Sequence, residues 1–531
     1  MLKEASYYAR MTRGLVDVLK PRRAQDPKGK LRRQFERREE DFVQQVRDLV
    51  FAMPEHPYRK MFALAGCEFG DFEDSIRRLG LEKTLRQLKD AGVYLAHDEL
   101  KGKRPMVRGG KEIPGNADSF LKPGQGGYWT SQSGGSRSSG TATPHGVAYR
   151  AHRNCYVDVW AEEFGLGGCG CVMLLPILPA SYAFACARSA QLAGAPVSHW
   201  FAVGGGLRDA GPYRWVTRAL VTEAKLLGCA IPWPALLPAN DFMPVVRCLE
   251  KAVSKGRKTL VWSVVSPAVR VAAAALEHGI SLHGVQFLVG GEALTAARRE
   301  VIEQSGAEVC STYYASELGT IGYGCRRMKS NCVHLFEDNV TAIAVERPAP
   351  LTDVLVQSLH FTTLLPYNPR LLINVEMDDH GILGTASCDC SFTQVGYSRQ
   401  IDDIWSFSKL TGYGATLVGS DILRLLERAL PRQFGGSPAD YQLVETEREG
   451  IGKLILRVSP RTGARDTAAV REFFLKEVRG LFGGSLTVRD WKHAEAFTVT
   501  LEEPVATKAG KVLALHLLGT GTRSKAGSAR A

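Results

Sequence analysis

Residues 287–294, FLVGGEAL, give the first indication of an α/β fold. An apolar run at 286–289 ends in Gly290 and Gly291, and a helical pattern follows at 296–304. An apolar run that stops at glycines and leads into a helix is typical of a buried strand. The same alternation recurs with apolar runs at 172–178, 259–264 and 354–359 and a helical pattern at 268–276. We therefore predict an α/β domain.

The sequence pattern changes on both sides of this region. Residues 1–95 carry helical patterns, whereas residues 101–145 are rich in Gly, Ser, Pro and basic residues and predict an exposed loop. After Asp402, shorter helical and strand-like runs predict a compact α+β module. We predict a helical lead-in at 1–95, an α/β domain at 96–402, an α+β domain at 403–518 and a disordered tail at 519–531.

The composition favours a soluble cytoplasmic protein. The apolar run at 169–187 contains Pro176 and Pro179, so we interpret it as a strand and a helix rather than a membrane span. The twelve cysteines, without a secretory leader, indicate reduced thiols. The net charge of +12 is concentrated at 22–38, which we interpret as a solvated linker and helix face rather than a nucleic-acid or membrane-surface site.

Two further segments carry residue types suited to a nucleotide. TSQSGGSRSSGTATP, at 130–144, offers glycines and hydroxyl groups whose backbone can wrap round a polyphosphate; a flexible linker is the alternative. TYYASELG, at 312–319, offers a tyrosine to cover a flat ring and a Ser316–Glu317 pair for phosphate and magnesium. The alternatives there are ordinary core positions for Tyr313 and Tyr314 and a solvated turn for Glu317.

The order of the motifs resembles the adenylate-forming superfamily, and within it the phenylacetate–CoA ligase-like branch. The resemblance covers roughly residues 80–515 and rests on SGGSRSSGTATP, VGGEAL, YYASE, HLFED at 334–338, NVEMDD ending at Asp379, QIDDIWSF and ATKAGKV. It implies a large adenylate-forming α/β domain that binds ATP and an acid, and a small mobile α+β C-terminal domain.

The resemblance also implies a role for each matching residue. Asp379 would bind the ribose, Glu317 would help to bind magnesium, and Lys511 would bridge the substrate carboxylate and the α-phosphate during adenylation. Lys508 is the alternative to Lys511, and Asp403 would be the hinge. The other nucleotide-binding positions would be Ser133, Gly135, Ser136, Ser138, Ser139, Gly140, Thr141 and Ser316 for phosphate, Gly290, Gly291, Glu292, Tyr313 and Tyr314 around adenine, and Arg399 before the hinge.

The chain departs from the family pattern at three places. His145 stands where a lysine follows the phosphate loop, and two registers of that loop, at 133–138 and 138–143, fit equally well. Tyr314 replaces the glycine of the Tyr-Gly motif. The arginine expected before the hinge is Gln400, or is shifted to Arg399.

A third group of residues is typical of a metal site. Cys325, Cys332 and His334 precede a Cys388-Asp389-Cys390 segment by some fifty residues. Tetrahedral zinc takes four such ligands, while buried free thiols are the alternative. Some phenylacetate–CoA ligase-like proteins are similar in carrying a structural zinc here. We predict Cys325, His334, Cys388 and Cys390 as ligands, with Cys332 as the substitute.

The resemblance implies an AMP-forming acid–thiol ligase. ATP and a small carboxylic acid would give an acyl-adenylate, and coenzyme A would take the acyl group. Two alternatives stay open: an adenylating enzyme that passes the acyl group to an acidic acyl-carrier protein or an amine, and a non-catalytic nucleotide-binding relative. The resemblance also suggests that the protein forms a homodimer. No nucleic-acid partner is expected, and the sequence leaves the acid itself undetermined.

Overall fold

The computed structural model describes most of the chain. The described residues are 2–125, 127–132, 142–178, 180–203, 211–237, 241–328, 331–348, 355–406, 419–448, 451–480, 497–507 and 510–518. Within them the chain forms one large sheet covered by helices and a separate four-stranded sheet toward the C terminus.

The first hundred residues are helical. Their helices are α1 (Leu2–Leu19), α2 (Pro27–Glu36), α3 (Arg38–Val46), α4 (Pro57–Leu64), α5 (Phe69–Leu79), α6 (Leu81–Asp90) and α7 (His97–Leu100). Local chemistry sets several of the helix ends. Asp26 caps α2 by accepting from the Gly29 amide at 2.8 Å, and Pro27 occupies the first helical position, where its missing N–H costs nothing. Beyond α3 the chain continues through a π-helical turn at Arg47–Phe51.

Two short antiparallel pairs precede the large sheet. They are β1 (Met106–Arg108) with β2 (Lys111–Ile113), and β3 (Thr130–Gln132) with β4 (Ala142–Pro144). The expected exposed loop at 101–145 therefore contains four short strands. The pairing of β3 with β4 brings together the two ends of the predicted phosphate loop.

The large sheet has twelve strands. In chain order they are β5 (Gly170–Leu174), β6 (Val197–Ala202), β7 (Pro234–Leu236), β8 (Thr259–Val264), β9 (Val285–Gly290), β10 (Glu308–Ala315), β11 (Gly319–Tyr323), β12 (Val333–Leu335), β13 (Val340–Pro348), β14 (Leu355–Thr363), β15 (Val375–Thr385) and β16 (Arg399–Ser406). Their order across the sheet is β13-β14-β15-β16-β12-β11-β10-β9-β8-β5-β6-β7.

One half of this sheet is parallel, and the other half is antiparallel. Strands β10, β9, β8, β5, β6 and β7 run parallel, and all six residues of β8 are buried, as expected when helices cover both faces. Helix α8 (Val147–Glu163) precedes β5, and α14 (Ser391–Val395) lies between β15 and β16. The helices between the parallel strands are α9 (Tyr182–Leu192), α10 (Gly211–Leu226), α11 (Met243–Val253), α12 (Val265–Glu277) and α13 (Ala296–Gln304).

The N-terminal helices share hydrophobic clusters with this sheet. Met11 and Leu15 of α1 lie in one cluster with Trp160 of α8 and Trp200 of β6. Phe42 of α3 and the other buried apolar residues of α3–α6 join a second cluster with strands of the antiparallel half. Residues 2–95 therefore pack against the large sheet.

The C-terminal part of the chain is a small α+β unit. It contains α15 (Gly419–Arg424), α16 (Leu430–Phe434), α17 (Thr467–Arg479), β17 (Tyr441–Arg448), β18 (Ile451–Val458), β19 (Phe497–Leu501) and β20 (Leu515–Leu518). The strand order is β19-β18-β17-β20, and Phe474 of α17 packs in the core that covers the sheet.

A buried ion pair joins the small unit to the large one. Arg298 of α13 contacts Glu427, between α15 and α16, at 2.9 Å, and Thr295 hydrogen-bonds to the same carboxylate. The carboxylate and the guanidinium are both nearly inaccessible to solvent. The two units are therefore docked in this structure.

Several sequence predictions are confirmed. Helix α13 and strand β8 have the predicted bounds, and 169–187 forms β5 and most of α9 rather than one apolar helix. The predicted disordered tail at 519–531 lies outside the described residues. Among the described helices, none is long and apolar enough to cross a membrane.

A buried ion pair fixes the region between α7 and β1. Arg108 contacts Glu99 through two hydrogen bonds, of 2.8 and 2.9 Å, and stacks over the Tyr94 ring. Burial alone would raise the pKa of Glu99, but hydrogen bonds from Arg108 and from the Ala96 amide outweigh burial and lower that pKa.

We expect Arg108→Gln to lower the free energy of unfolding by about 3–5 kcal/mol at neutral pH, because Glu99 would stay buried without its cation. The loss should shrink as the pH falls through the lowered pKa of Glu99, since a protonated Glu99 has no charge to pair. Urea denaturation followed by tryptophan fluorescence measures both effects. Arg47→Gln is the control, because Arg47 pairs with Glu73 on the surface; equal losses in the two variants would contradict the expectation.

Candidate functional site

The site lies where parallel strands β8, β9 and β10 end. Gly290 is the last residue of β9 and pairs with Thr312 of β10. A side chain at Gly290 would collide with Thr312, and Gly291 has a φ of +81°, a conformation that favours glycine. The backbone is therefore bare where a flat ring could lie against it.

Glu292 holds the start of the neighbouring helix. Its carboxylate accepts a hydrogen bond from the Ser266 amide at 2.8 Å and another from the Ser266 hydroxyl at 2.7 Å. Ser266 is in the first turn of α12, directly after β8, where a carboxylate interacts favourably with the helix dipole. Glu292 thus links the loop after β9 to α12.

Tyr313 and Asp379 meet across the sheet. The Tyr313 hydroxyl donates to the Asp379 carboxylate at 2.6 Å. Burial and the adjacent carboxylate raise the pKa of Tyr313 well above its ordinary value, so the phenol keeps its proton. One residue predicted for adenine and one predicted for ribose are therefore in contact.

Lys511 reaches this loop from the small unit. It closes a tight turn in which the Thr507 amide donates to the Lys511 carbonyl at 2.8 Å. A side-chain carbon built at Gly291 would lie 3.0 Å from Lys511 Nζ. The next residue, Val512, donates its amide to the Ser266 hydroxyl at 3.2 Å and so anchors the turn. The structure brings Lys511, Gly290, Gly291 and Glu292 together.

Glu317 is buried in the turn between β10 and β11, and it forms an ion pair with Lys101. The side chains of Lys101 and Glu317 are 9% and 2% exposed, so the pair is shielded from water. A carboxylate is a ligand type that magnesium prefers. In this structure the Lys101 ammonium group neutralises the Glu317 carboxylate. Glu317 therefore fits the predicted magnesium ligand in donor type and charge.

His145 occupies the place where the family pattern has a lysine. Its ring stacks on Tyr149 with centroids 4.6 Å apart, and its Nε2 is 3.1 Å from the Tyr314 hydroxyl. Burial, together with the charges of Arg150, Arg153 and Arg370, lowers the pKa of His145 well below its usual range. His145 is therefore neutral and supplies no positive charge.

Several predicted phosphate ligands lie outside the described residues, namely Ser133, Gly135, Ser136, Ser138, Ser139, Gly140 and Thr141. Lys508, the alternative to Lys511, also lies outside them. The flanking strands β3 and β4 are described and pair through Gln132 and Ala142.

Arg399 lies apart from the Tyr313–Asp379 contact. Its guanidinium contacts Glu82 at 3.1 Å and donates to the Ala342 carbonyl at 2.7 Å. In the pairing of β15 with β16, Arg399 faces Thr385, whereas Asp379 faces Ser406 near the other end. Gln400 donates to the Asp402 carboxylate at 2.6 Å. Neither side chain is brought to Asp379.

Asp403 has an unusual backbone. It lies inside β16 with a φ of +53°, at the point where the pairing with β15 is irregular. The Trp405 indole donates to its carboxylate at 2.7 Å. A non-glycine residue in this conformation is strained, which marks a site where the chain can change direction.

The four predicted metal ligands form one cluster. Cys325 follows β11, His334 is in β12, and Cys388 and Cys390 precede α14. Their ligand atoms all lie within 4.8 Å of one another, with His334 Nε2 at 3.3 Å from Cys388 Sγ and 3.1 Å from Cys390 Sγ. The substitute, Cys332, is not among these four.

The cluster favours a thiolate. Hydrogen bonds from Cys325 and His334 lower the pKa of Cys390 to about 3, whereas burial raises the pKa of Cys388. Aromatic side chains pack beside it, with Phe392 at 5.6 Å from the His334 ring. Three sulfur ligands and one imidazole match a closed tetrahedral zinc site in ligand type and number.

Two contacts of the site were not anticipated from the sequence. Lys101 belongs to a basic run that has no motif, and Ser266 precedes a proline at an ordinary helix start. The Ser-Pro pair is a helix-start signal, but it says nothing about Glu292 or Val512.

The comparisons with known proteins concern the fold. No family model matches the chain, and no curated protein matches its sequence. The solved structure of 2-hydroxyisobutyryl-CoA ligase in the postadenylation state with 2-HIB-AMP is similar, with a TM-score of 0.53 and 14% identity over 89% of this chain and 88% of that chain. The same ligase with R3-HIB-AMP gives a TM-score of 0.52 and 15% identity over 89% and 88%. The chain therefore has the fold of an adenylate-forming ligase.

Proposed function

We propose that this protein activates a small carboxylic acid with ATP as an acyl-adenylate and transfers the acyl group to the thiol of coenzyme A. The observation that carries the proposal is the approach of Lys511, from the small unit, to Gly291 at the end of β9. A cation delivered by a second unit to a bare strand end suits a reaction that needs it for only one step. The similar fold of a CoA ligase adds support.

In the first step the adenine would lie on Gly290 and Gly291, and Asp379 would bind the ribose, oriented by Tyr313. A substrate carboxylate oxygen attacks the α-phosphorus, and the bond to pyrophosphate breaks. Lys511 would offset the charge that builds up between the two reacting groups. Removing one such electrostatic contact commonly lowers the rate about 100-fold.

Magnesium would be held by Glu317, with Ser316 toward the phosphates. When bound, the metal neutralises phosphate charge and orients the leaving pyrophosphate. The side chain of Glu317 already carries a cation, Lys101, which shows that the position accepts positive charge.

In the second step the thiol sulfur attacks the acyl carbon, the bond from that carbon to the AMP oxygen breaks, and the thiol proton passes to solvent. Lys511 has no role in this step, and its side chain lies against the loop at Gly291. The small unit would move away by rotating at Asp403. Coenzyme A, an anionic thiol, suits the net charge of +12. Release of acyl-AMP without CoA turnover would instead favour a carrier protein or an amine as acceptor.

The Cys/His cluster would hold a structural zinc, since four protein ligands leave no open position. This cluster also supports the phenylacetate–CoA ligase-like branch. All twelve cysteines are unbridged, which suits the reducing cytoplasm.

The first of three predictions from the proposed function concerns Lys511. The parent protein should release pyrophosphate from ATP when supplied with one acid from a panel of aryl, arylacetyl and aliphatic acids. Lys511→Ala should lower that release about 100-fold and leave ATP binding largely unchanged, because the amine acts on the reacting groups. Coupled pyrophosphate detection measures the release, and AMP formation on addition of CoA identifies the acceptor.

Lys508→Ala is the matched control, since it removes the other lysine of the same segment. An equal loss in Lys508→Ala would contradict the assignment of Lys511. If the parent binds ATP but releases no pyrophosphate with any acid, the protein is a non-catalytic relative.

The second prediction concerns zinc. The purified parent should carry zinc at one ion per chain, measured by inductively coupled plasma mass spectrometry. Cys390→Ala should lose the metal and lower the melting temperature, because metal binding contributes to folding. Cys332→Ala is the control, since this buried cysteine is not among the four ligands. Retention of zinc by Cys390→Ala would refute the ligand set.

The third prediction concerns the hinge. Asp403→Gly should keep pyrophosphate release, because glycine adopts a φ of +53° without strain. Asp403→Pro should lower it toward the level of Lys511→Ala, because proline fixes φ near −65° and excludes the backbone seen here. The pyrophosphate assay and circular dichroism together separate this effect from unfolding. Equal activity of both variants would remove Asp403 from the mechanism.

A further inference from the structure

Lys101 directly follows a short helix whose position is fixed by buried polar contacts. It follows α7, whose first turn is capped by Glu99, which accepts from the Ala96 amide at 2.9 Å. Glu99 is in turn fixed by the buried Arg108. The Lys101 ammonium therefore reaches Glu317 from a rigid base, rather than from a mobile surface chain.

The ion pair has a chemical consequence for Glu317. A buried carboxylate without a cation is costly, and Lys101 supplies that cation. The ammonium contacts Oε1 of Glu317, and a divalent metal that takes this oxygen competes with it. Metal binding at Oε1 would therefore displace Lys101 from Glu317.

The displaced ammonium would lie beside Ser316, the predicted phosphate ligand that precedes Glu317 in the chain. The chain has no lysine after its phosphate loop, and His145 in that place is neutral. The three arginines whose charges act on His145 have protein partners. Arg150 donates to the His145 carbonyl at 3.1 Å, Arg153 to the Ser189 hydroxyl at 2.8 Å, and Arg370 to the Ala117 carbonyl. Lys101 is thus a cation of this region, and its partner, Glu317, is a predicted ligand of magnesium.

We propose that Lys101 is an exchanging counter-ion. It neutralises Glu317 until ATP arrives with its magnesium, then yields the carboxylate to the metal and places its ammonium on the phosphate chain. It takes over the charge that a phosphate-loop lysine supplies in the family pattern. This role rests on the proposed function, because it requires ATP at the site.

The test uses the full chain, without an acid substrate, and Mn²⁺ as a paramagnetic substitute for magnesium. Electron paramagnetic resonance measures the affinity for Mn²⁺ alone and for Mn²⁺ with ATP. In Lys101→Met, Mn²⁺ alone should bind about threefold tighter and Mn²⁺ with ATP about tenfold weaker, because one competitor and one charge-assisted phosphate contact are lost. Lys101→Arg should restore the ATP affinity.

Lys103→Met is the matched control, since Lys103 is two residues away and more exposed, and it pairs with Asp98 at 3.5 Å. It should leave both affinities unchanged. In Glu317→Gln/Lys101→Met, the tightening for Mn²⁺ alone should vanish. If Lys101→Met does not fold by circular dichroism, Lys101→Gln carries the same comparison.

An unchanged affinity of Lys101→Met for Mn²⁺ with ATP would overturn the phosphate contact. An unchanged affinity for Mn²⁺ alone would overturn the competition at Glu317. Failure of the proposed function gives a different result, because it appears as no pyrophosphate release with any acid, whereas both affinities are measured without an acid. If the parent binds no ATP at all, the phosphate contact is overturned as well, and the comparison with Mn²⁺ alone decides whether Lys101 competes for Glu317.

Discussion

The Ser266 hydroxyl is the contact on which the candidate site depends. It donates to Glu292 and accepts from the Val512 amide, so one oxygen joins the loop after β9, the start of α12 and the turn that carries Lys511. The hydroxyl is buried, and both contacts are shielded from water. An alanine at this position would remove the acceptor of the Val512 amide and one of the hydrogen bonds to Glu292, which would keep the bond from the backbone amide of residue 266.

The docking of the small unit includes buried polar contacts. Besides Ser266 and Val512, it uses the buried pair of Arg298 with Glu427, and burial raises the pKa of Glu427 while Arg298 opposes that rise. Removing one partner of such a pair is costly, but exchanging both for water on separation is not, because hydration offsets the lost contact. An interface of this kind can hold Lys511 in place and still release it.

Local sequence patterns predicted the elements but not the contacts between them. The bounds of β8 and α13 follow from residues close in sequence, whose periodicity reports a strand or a helix. Lys101 and Glu317 are 216 residues apart, and Ser266 and Val512 are 246 apart, so no local pattern could pair them. The cysteine cluster was predictable across a long separation in sequence, because few residue types bind zinc and the chain offers four such side chains in two short segments.

The cysteine cluster lies near the start of β16, the strand that contains the candidate hinge residue Asp403. His334 pairs with Gln400 of β16, and Cys388 and Cys390 lie in the connection between β15 and β16. A metal bound by the cluster would link this connection to β12 and hold the first residues of β16, whereas Asp403, three residues beyond Gln400, sits at an irregular pairing with a positive φ. A metal-bound cluster directly before a strained residue would favour a backbone change at that residue. The cluster would therefore give the hinge its location, although it lies outside the chemistry.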